Sequence, residues 1–308
     1  MKLAVPDMIS NSYFPAIAAI ELGLFREQGL DVSLELIYPV DKCYAALRDG
    51  AVDFVGGAAH AALSAFPQWR GAKLLCAQGQ GMYWFLVMHK DFGGRRGDVS
   101  VVKGKSIGAA PWVDVGLRRL LVEAGLDLER DRVNIAPVPG AVGAGVNFGV
   151  TAAKALEDRK IDGFWANGMG AEVAVRRGVG TVVLDVRRGD GPAPAFNFTM
   201  AAIATTERLI ERSPETAAAA VRAMVKTHAA LKADAARATA IGRKLFPPSE
   251  AELIAELIRR DLPYYDAAIS RGFVAGMNQF CRDIGILESD ASYESVVSTQ
   301  FAPLWKAP

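Results

Sequence analysis

Cysteine and histidine are both scarce in this chain, with three of each among 308 residues. Cys43, Cys76 and Cys281 lie far apart, so the sequence has neither a disulfide framework nor the C-x-x-C spacing of a zinc site. H-E-x-x-H, G-x-S-x-G and a catalytic Cys/His pairing are missing as well. The glycine-rich VPGAVGAGVNFG has Phe148 where a dinucleotide fingerprint needs glycine. We therefore expect no metal and no cofactor.

An excess of charge and long apolar runs are also absent. Lys plus Arg number 35 and Asp plus Glu number 34, so the net charge is +1 and nucleic acid is not an expected partner. No run of about 18 apolar residues occurs, which argues against membrane insertion. The opening MKLAVPDMIS has no apolar leader segment. We expect a periplasmic protein if a leader was removed, and a cytoplasmic protein if the chain is complete.

Short strand-like runs alternate with helical patterns over the first two thirds of the chain. KLAV, VDFVGG, SIGAA and IDGFWAN are each followed by a segment with helical spacing of its apolar residues. A helix is expected from Tyr13 to Gln28, ending at Gly29. Such alternation is typical of parallel sheets covered by helices. From about Glu207 the sequence is almost wholly helical, and we expect these helices to pack around a sheet that is already complete.

Five junctions at the ends of strand-like runs carry aromatic or short polar side chains. In open α/β sheets, ligands bind at the carboxyl ends of strands, where helix N-termini offer free N–H groups. Each residue alone could equally be a helix cap or a core residue, but together they predict one small-molecule cleft with aromatic walls. The candidate ligand-binding residues are Asn11, Ser12, Tyr13, Phe14, Gly57, His60, Tyr83, Trp84, Trp112, Asp114, Asn147, Trp165, Asn167, Asn197 and Phe198.

Five segments resemble, in order, those of the substrate-binding proteins of ABC importers for nitrate, taurine, alkanesulfonates and thiamine pyrimidine precursors. They are SYFPAIAAIELGLFREQGLDVSLEL, ALRDGAVDFVGG, VVKGKSIGA, ALEDRKIDGFWA and LIERSPETAAAAVRAM, and they span nearly the whole chain. The resemblance implies an α/β, periplasmic-binding-protein-like II fold, with two α/β lobes around a ligand cleft and a helical C-terminal third. It implies lobe one at 1–90 plus 199–308 and lobe two at 91–198, with crossings near 89–92 and 196–201.

The resemblance also implies a function. The protein would capture a small organic solute, aromatic or heteroaromatic, by hinge closure between the lobes. It would act as a monomer with an ABC permease and an ATPase as partners. Arginine is absent from all five junctions, which weakens the case for a sulfonate or nitrate ligand.

An enzyme on the same fold is the main alternative: a decarboxylase, a desulfinase or a pyrimidine-precursor synthase acting on a small aromatic or heterocyclic substrate. The synthase relatives use a lysine, a histidine and a cysteine-rich motif, but VGGAAHAA has no lysine and nothing cysteine-rich follows it. Desulfinase relatives rely on a cysteine after the first strand, where this chain has SNSYF. A site built around Asp7, Asp114 and His60 stays open. The effector-sensing part of a transcription regulator is disfavoured, because the chain starts directly at the first strand.

Overall fold

The structure is a computed structural model that describes residues 1–143 and 145–306. Its strands are β1 Lys2–Val5, β2 Ser33–Leu36, β3 Phe54–Ala58, β4 Ala72–Gly79, β5 Phe85–His89, β6 Ser106–Ala109, β7 Asn134–Ala136, β8 Gly163–Ala166, β9 Gly180–Asp185 and β10 Ala201–Thr206. Its α-helices are α1 Phe14–Glu21, α2 Leu24–Glu27, α3 Val40–Arg48, α4 Asp114–Glu123, α5 Phe148–Glu157, α6 Gly168–Arg176, α7 Glu207–Arg212, α8 Pro214–Ala233, α9 Arg237–Leu245, α10 Pro248–Asp261, α11 Arg271–Asp283 and α12 Tyr293–Val296.

The strands form two five-stranded sheets with the same arrangement. The first has the order β2-β1-β3-β10-β4 and the second β7-β6-β8-β5-β9. β1 is parallel to β2 and β3, and β6 is parallel to β7 and β8. β10 and β5 run antiparallel to both of their neighbours. In each sheet the carboxyl ends of three parallel strands therefore meet at one edge, and the strand order reverses beside β1 or β6.

The chain passes from the first sheet to the second between Gly79 and Phe85, and it returns between Asp185 and Ala201. The first crossing precedes the expected 89–92, because β5 pairs with β8 and β9 and so belongs to the second sheet. The return segment includes the expected 196–201. We call the first sheet with its helices lobe one and the second sheet with its helices lobe two. Among the C-terminal helices, α8 packs beside α1 and α2, while α10 also contacts α6 of lobe two.

Two helical segments differ from the sequence-based expectation. The helix expected at 13–28 is broken into α1 and α2, because Gly23 adopts a left-handed φ of 73° that interrupts the helix. The segment after β3 forms a 3₁₀ helix, Ala59–Ser64, instead of an α-helix. The alternation of parallel strands with helices is confirmed.

All three cysteines are buried free thiols. Burial raises the pKa of each thiol above its ordinary value, which disfavours the reactive thiolate. They therefore act as small apolar packing residues. Within the described ranges, no helix combines the length and the apolar character needed to cross a membrane.

Candidate functional site

A cavity lies between the two sheets at their carboxyl edges. Lobe one contributes residues that follow β1 and β2, and lobe two contributes residues that follow β6 and β8 together with the start of α5. This is the position at which open α/β sheets bind ligands. The lining consists of Pro6, Asp7, Tyr13, Tyr38, Val40, Trp84, Ala110, Val113, Phe148, Ala166 and Asn167.

The lobes are in direct contact around this cavity, and their own side chains fill most of the gap. The remaining volume is about 30 Å³. A buried water needs roughly 10–15 Å³ measured in this way, so the space suits about two waters. An organic solute therefore enters only if the lobes move apart.

Asp7 is the carboxylic acid of the lining, and it is only 4% exposed. Its Oδ2 accepts hydrogen bonds from the Gly149 N–H at 3.2 Å, in the first turn of α5, and from Asn167 Nδ2 at 2.8 Å. Its buried Oδ1 has no partner among the described residues. Burial raises the pKa of Asp7 to about 7, although hydrogen bonds from the backbone of Gly149, Ile9 and Phe148 and from the Asn167 amide oppose the shift. This carboxyl group therefore titrates near neutral pH.

Aromatic side chains form most of the remaining wall. Tyr38 of lobe one stacks on Phe148 of lobe two, with ring centroids 6.1 Å apart. The Tyr13 hydroxyl shares a 3.0 Å hydrogen bond with the Tyr83 hydroxyl. Burial raises the pKa of Tyr13 well above its ordinary value and that of Tyr38 to about 12, so both hydroxyls stay neutral. The Tyr38 hydroxyl has no partner within the described part of the chain.

Two asparagines join the lobes beside the cavity. Asn147, which precedes α5, accepts hydrogen bonds at Oδ1 from the N–H groups of Met8 and Ile9, both at 3.1 Å. Asn11 accepts one from the Met169 N–H at 3.0 Å. Its Nδ2 donates to Asp261 Oδ2 at 2.7 Å. These predicted ligand-binding residues hold the lobes together in this conformation.

Of the fifteen predicted residues, Tyr13, Trp84 and Asn167 line the cavity. Directly behind them are Tyr83, bonded to Tyr13, and Trp165, whose ring meets Trp84 edge-on at 6.1 Å.

His60 also packs edge-on against Trp84, behind the cavity wall, and its Nε2 donates to the Trp112 carbonyl at 2.8 Å. Burial lowers the pKa of His60 to about 4, which leaves its imidazole neutral. Tyr83, Trp165 and His60, which the sequence predicts to line the cleft, therefore pack behind its wall.

The other predicted residues lie elsewhere. Trp112 and Asp114 border a separate surface depression of about 330 Å³ near the start of α4, where Asp114 pairs with Arg118 at 2.9 Å. Phe14 packs against Phe246, and Phe198 stacks on Phe280 with centroids 4.5 Å apart. Three remain: Gly57 within β3, Ser12, whose N–H donates to Ser10, and Asn197 at the end of a 3₁₀ helix.

Sequence reasoning missed the residues that define the chemistry of the cavity. The sequence suggests Asp7 only as part of an enzyme site, and it marks neither Tyr38 nor Phe148 as a ligand-binding candidate. Asp7 and Tyr38 each lie two positions after the last residue of a parallel strand, and Phe148 begins α5. The second position after a parallel strand is therefore the signal that could have found the first two.

A larger depression, of about 260 Å³, lies on lobe one at the opposite edge of the first sheet. Met1 and Asp53, which precede β1 and β3, line it together with Arg208 and Arg212. Only lobe one contributes to it, and it lies at the amino ends of the parallel strands. It lacks the position expected of a ligand site in this architecture.

No protein-family model matches this chain, and no curated protein matches it. Solved structures match over nearly its whole length. The periplasmic nitrate-binding protein NrtA from Synechocystis PCC 6803 has a TM-score of 0.75 and 14% identity, covering 98% of this chain and 86% of that one. The alkanesulfonate-binding protein SsuA from Xanthomonas axonopodis pv. citri, bound to MOPS, has a TM-score of 0.71 and 13% identity, covering 96% and 97%.

The desulfurization enzyme DszB is similar as well, with a TM-score of 0.63 and 12% identity over 98% of this chain and 97% of that one. At such identities the likeness establishes the fold alone. This chain has the two-lobe, periplasmic-binding-protein-like α/β fold found in ABC substrate-binding proteins and in at least one enzyme. The predicted fold class and the family resemblance are confirmed at that level.

Proposed function

We propose that this protein is the substrate-binding protein of an ABC importer and captures a small organic solute between its two lobes. The observation that carries the proposal is the cavity at the carboxyl edges of both sheets, lined from both lobes by aromatic rings and a few polar groups. Small-molecule sites have this kind of lining. The fold shared with NrtA and SsuA supports the role. It also supports a periplasmic location, with a permease and an ATPase as partners of a monomer.

Capture requires the lobes to separate and close again. The hinge would lie in the two crossings, residues 80–84 and 186–200. A solute favours closure only by its differential affinity for the closed state. The hydrogen bonds from lobe two to Asp7, together with those that Asn147 and Asn11 make across the gap, already stabilise that state. The solute must replace some of them, so their loss reduces its net affinity.

An enzyme on the same fold is the second candidate, because DszB shares the fold and the pKa of Asp7, about 7, suits a general base. The geometry favours binding instead. None of the three cysteines belongs to the lining of the cavity, and His60 is bonded behind it to Trp112. Asp114 lies in the separate depression beside α4, so Asp7, Asp114 and His60 do not form one catalytic group.

A thermal-shift screen against pyrimidines, aromatic acids, sulfonates and nitrate tests the proposal. We expect one class of compound to raise the Tm and to be recovered unchanged by mass spectrometry after prolonged incubation. Small-angle scattering of the free and bound protein should show a smaller radius of gyration with the compound. A stabilising compound that is consumed would favour the enzyme, and a panel without any binder would contradict a binding role.

Two matched substitutions connect the binding signal to the cavity. Val113 is in the lining, whereas Val122 of α4 lies on the surface, with 45% of its area exposed. Val113→Trp should fill the cavity and weaken binding at least 10-fold, while Val122→Trp should bind as the unmodified protein does. Circular dichroism verifies that both variants are folded. Equal affinity in both would place the site elsewhere.

A further inference from the structure

The cavity lining contains an acidic side chain and no basic one. Asp7 is the one acidic residue among the eleven lining residues, and no lysine, arginine or histidine accompanies it. Within the described ranges, Asp7 takes part in no salt bridge, and the groups that donate hydrogen bonds to it, backbone N–H groups and the Asn167 amide, are all neutral. A buried carboxylate without a cation is unfavourable by itself, so this site is incomplete electrostatically.

The two oxygens of Asp7 differ in a way that a ligand can use. Oδ2 accepts both hydrogen bonds, which fix the carboxyl group at the start of α5. Oδ1 is buried and has no partner among the described residues. An oriented carboxylate oxygen that lacks a donor is suited to a charged N–H group or to a nearby positive charge.

The rings around Asp7 favour a cation too. Tyr13, Tyr38, Trp84 and Phe148 all belong to the same lining. The face of an aromatic ring carries negative electrostatic potential, and it attracts organic cations within about 6 Å of its centroid. The same lining is unfavourable for nitrate or a sulfonate, because the carboxylate of Asp7 repels an anion and no basic side chain offsets that repulsion.

We propose that the solute is a small organic cation, an ammonium or a protonated nitrogen heterocycle, whose charge lies against Asp7 among these four rings. This inference rests on the proposed binding function and narrows it. It separates this protein from the anion binders that share its fold, NrtA and SsuA, by the chemistry of its own lining.

The test uses pairs of probes that differ in charge and little in shape. Choline is compared with its neutral carbon isostere dimethylbutanol, and benzylamine with benzyl alcohol, by calorimetry and thermal shift at about pH 8. Nitrate and methanesulfonate represent the anions. We expect at least one cation to bind at least 10-fold more tightly than its neutral partner, and neither anion to bind.

Asp7→Asn provides the matched variant, because its side-chain oxygen can still accept from Gly149 and Asn167 while the charge is lost. It should weaken binding of the cation at least 10-fold and leave binding of the neutral isostere unchanged. Asp31→Asn removes the same charge from an exposed loop and should change neither.

The outcomes separate the two proposals. Tighter binding of an anion or of a neutral isostere would overturn the cation inference and leave the binding function standing. Equal affinity of the cation for the unmodified protein and for Asp7→Asn would also overturn it. If no probe of any charge binds, and the wider screen also finds no ligand, the binding function itself is contradicted.

Discussion

Two buried carboxylates at the boundary between the lobes have opposite surroundings. Asp261, at the end of α10, is 2% exposed and pairs with Arg187 at 3.3 Å and Arg188 at 3.1 Å. It also accepts a hydrogen bond from Asn11. Asp7 is 4% exposed and accepts hydrogen bonds from neutral donors alone, and no cation lies beside it among the described residues. The charge of Asp261 is therefore neutralised by arginines of the protein, whereas the charge of Asp7 is not neutralised by any described side chain.

This difference indicates that Asp261 has a structural role and that Asp7 is a candidate ligand-binding group. Asp261 is the centre of an interlobe network that we call the latch, which consists of Asp261, Asn11, Arg187 and Arg188. Asn11 connects Asp261 to the backbone of α6, and the two arginines come from the segment that returns to lobe one. The charge of Asp261 is neutralised inside the protein. Asp7 lines the cavity without a neutralising cation among the described residues, which is the reason that we propose a cationic ligand there. Sites that break the rule of satisfied buried charges are expected to be functional.

The largest expected effect comes from breaking the latch. Asp261→Asn leaves the buried guanidinium of Arg187 without its carboxylate, whereas the half-buried Arg188 keeps its pair with Asp185. The loss of one member of a buried pair costs about 3–5 kcal/mol. We expect the free energy of unfolding, measured with urea at neutral pH, to fall by about that amount. Glu252→Gln, in the exposed pair with Arg243, is the control and should have no measurable effect. A comparable change in both variants would refute the latch.

The same substitution at Asp7 should act in the opposite direction. The pKa of Asp7 is about 7 in the folded protein, against an ordinary value of 3.8, so between these pH values the folded state binds more protons than the unfolded state. The stability of the unmodified protein therefore falls, relative to Asp7→Asn, as pH rises from about 4 to 7. The free energy of unfolding of Asp7→Asn should exceed that of the unmodified protein by ~4 kcal/mol above pH 7, and this gap in stability should vanish below about pH 4.

Urea unfolding of both proteins across this pH range measures the gap. The titratable groups that face Asp7, Tyr13 and Tyr38, remain neutral throughout, so they do not contribute to the slope. Asp31→Asn again serves as the control for net charge. A gap that is independent of pH, or one that widens toward acid, would show that Asp7 is ionised and stabilised in the free protein.

A moderate effect is expected where the latch meets lobe two. Asn11→Ala removes a donor to Asp261 and an acceptor for the Met169 N–H, both of which stay buried. Each unsatisfied buried group costs about 1–3 kcal/mol, so we expect unfolding to become easier by roughly 2 kcal/mol or more. Asn134→Ala, on the exposed edge strand β7, is the matched control. An unchanged melting curve for Asn11→Ala would mean that the latch contributes little.

The smallest expected effects compare two tyrosines of the cavity. Tyr13→Phe breaks the hydrogen bond to Tyr83 and should cost about 1 kcal/mol. Tyr38→Phe removes a hydroxyl that has no partner in the described ranges, so it should leave stability nearly unchanged. Thermal unfolding of the two variants side by side measures the difference. The reverse order would indicate that the Tyr38 hydroxyl is satisfied in solution.

Much of the fold could be predicted because its signals are local. The runs KLAV, SIGAA and GFWA form β1, β6 and β8 as expected, since apolar runs bounded by turn residues specify buried parallel strands. The first crossing was expected too late, at 89–92, because YWFLVMH looks the same in either sheet. Only its pairing with β8 and β9 assigns it to lobe two.

Fewer of the residues at the cavity could be predicted from the sequence. Tyr13, Trp84 and Asn167 were expected at a cleft and do line the cavity, whereas Trp112 and Asp114 lie in the depression beside α4. The sequence locates a residue at a strand-to-helix junction, but the direction of its side chain depends on how the helix packs. Whether the predicted residues bind a ligand stays a prediction.

The sequence by itself determined the alternation of strands and helices, the balanced charge and the absence of a metal-ligand spacing, because each depends on neighbours along the chain. The tertiary structure alone decided that Asp7 is buried without a cation and that Asp261 is buried with two. Both are single aspartates in ordinary surroundings along the chain. Their partners come from positions 142 to 160 residues away for Asp7 and 73 to 250 residues away for Asp261, so only the closing of one lobe on the other gives them different chemistry.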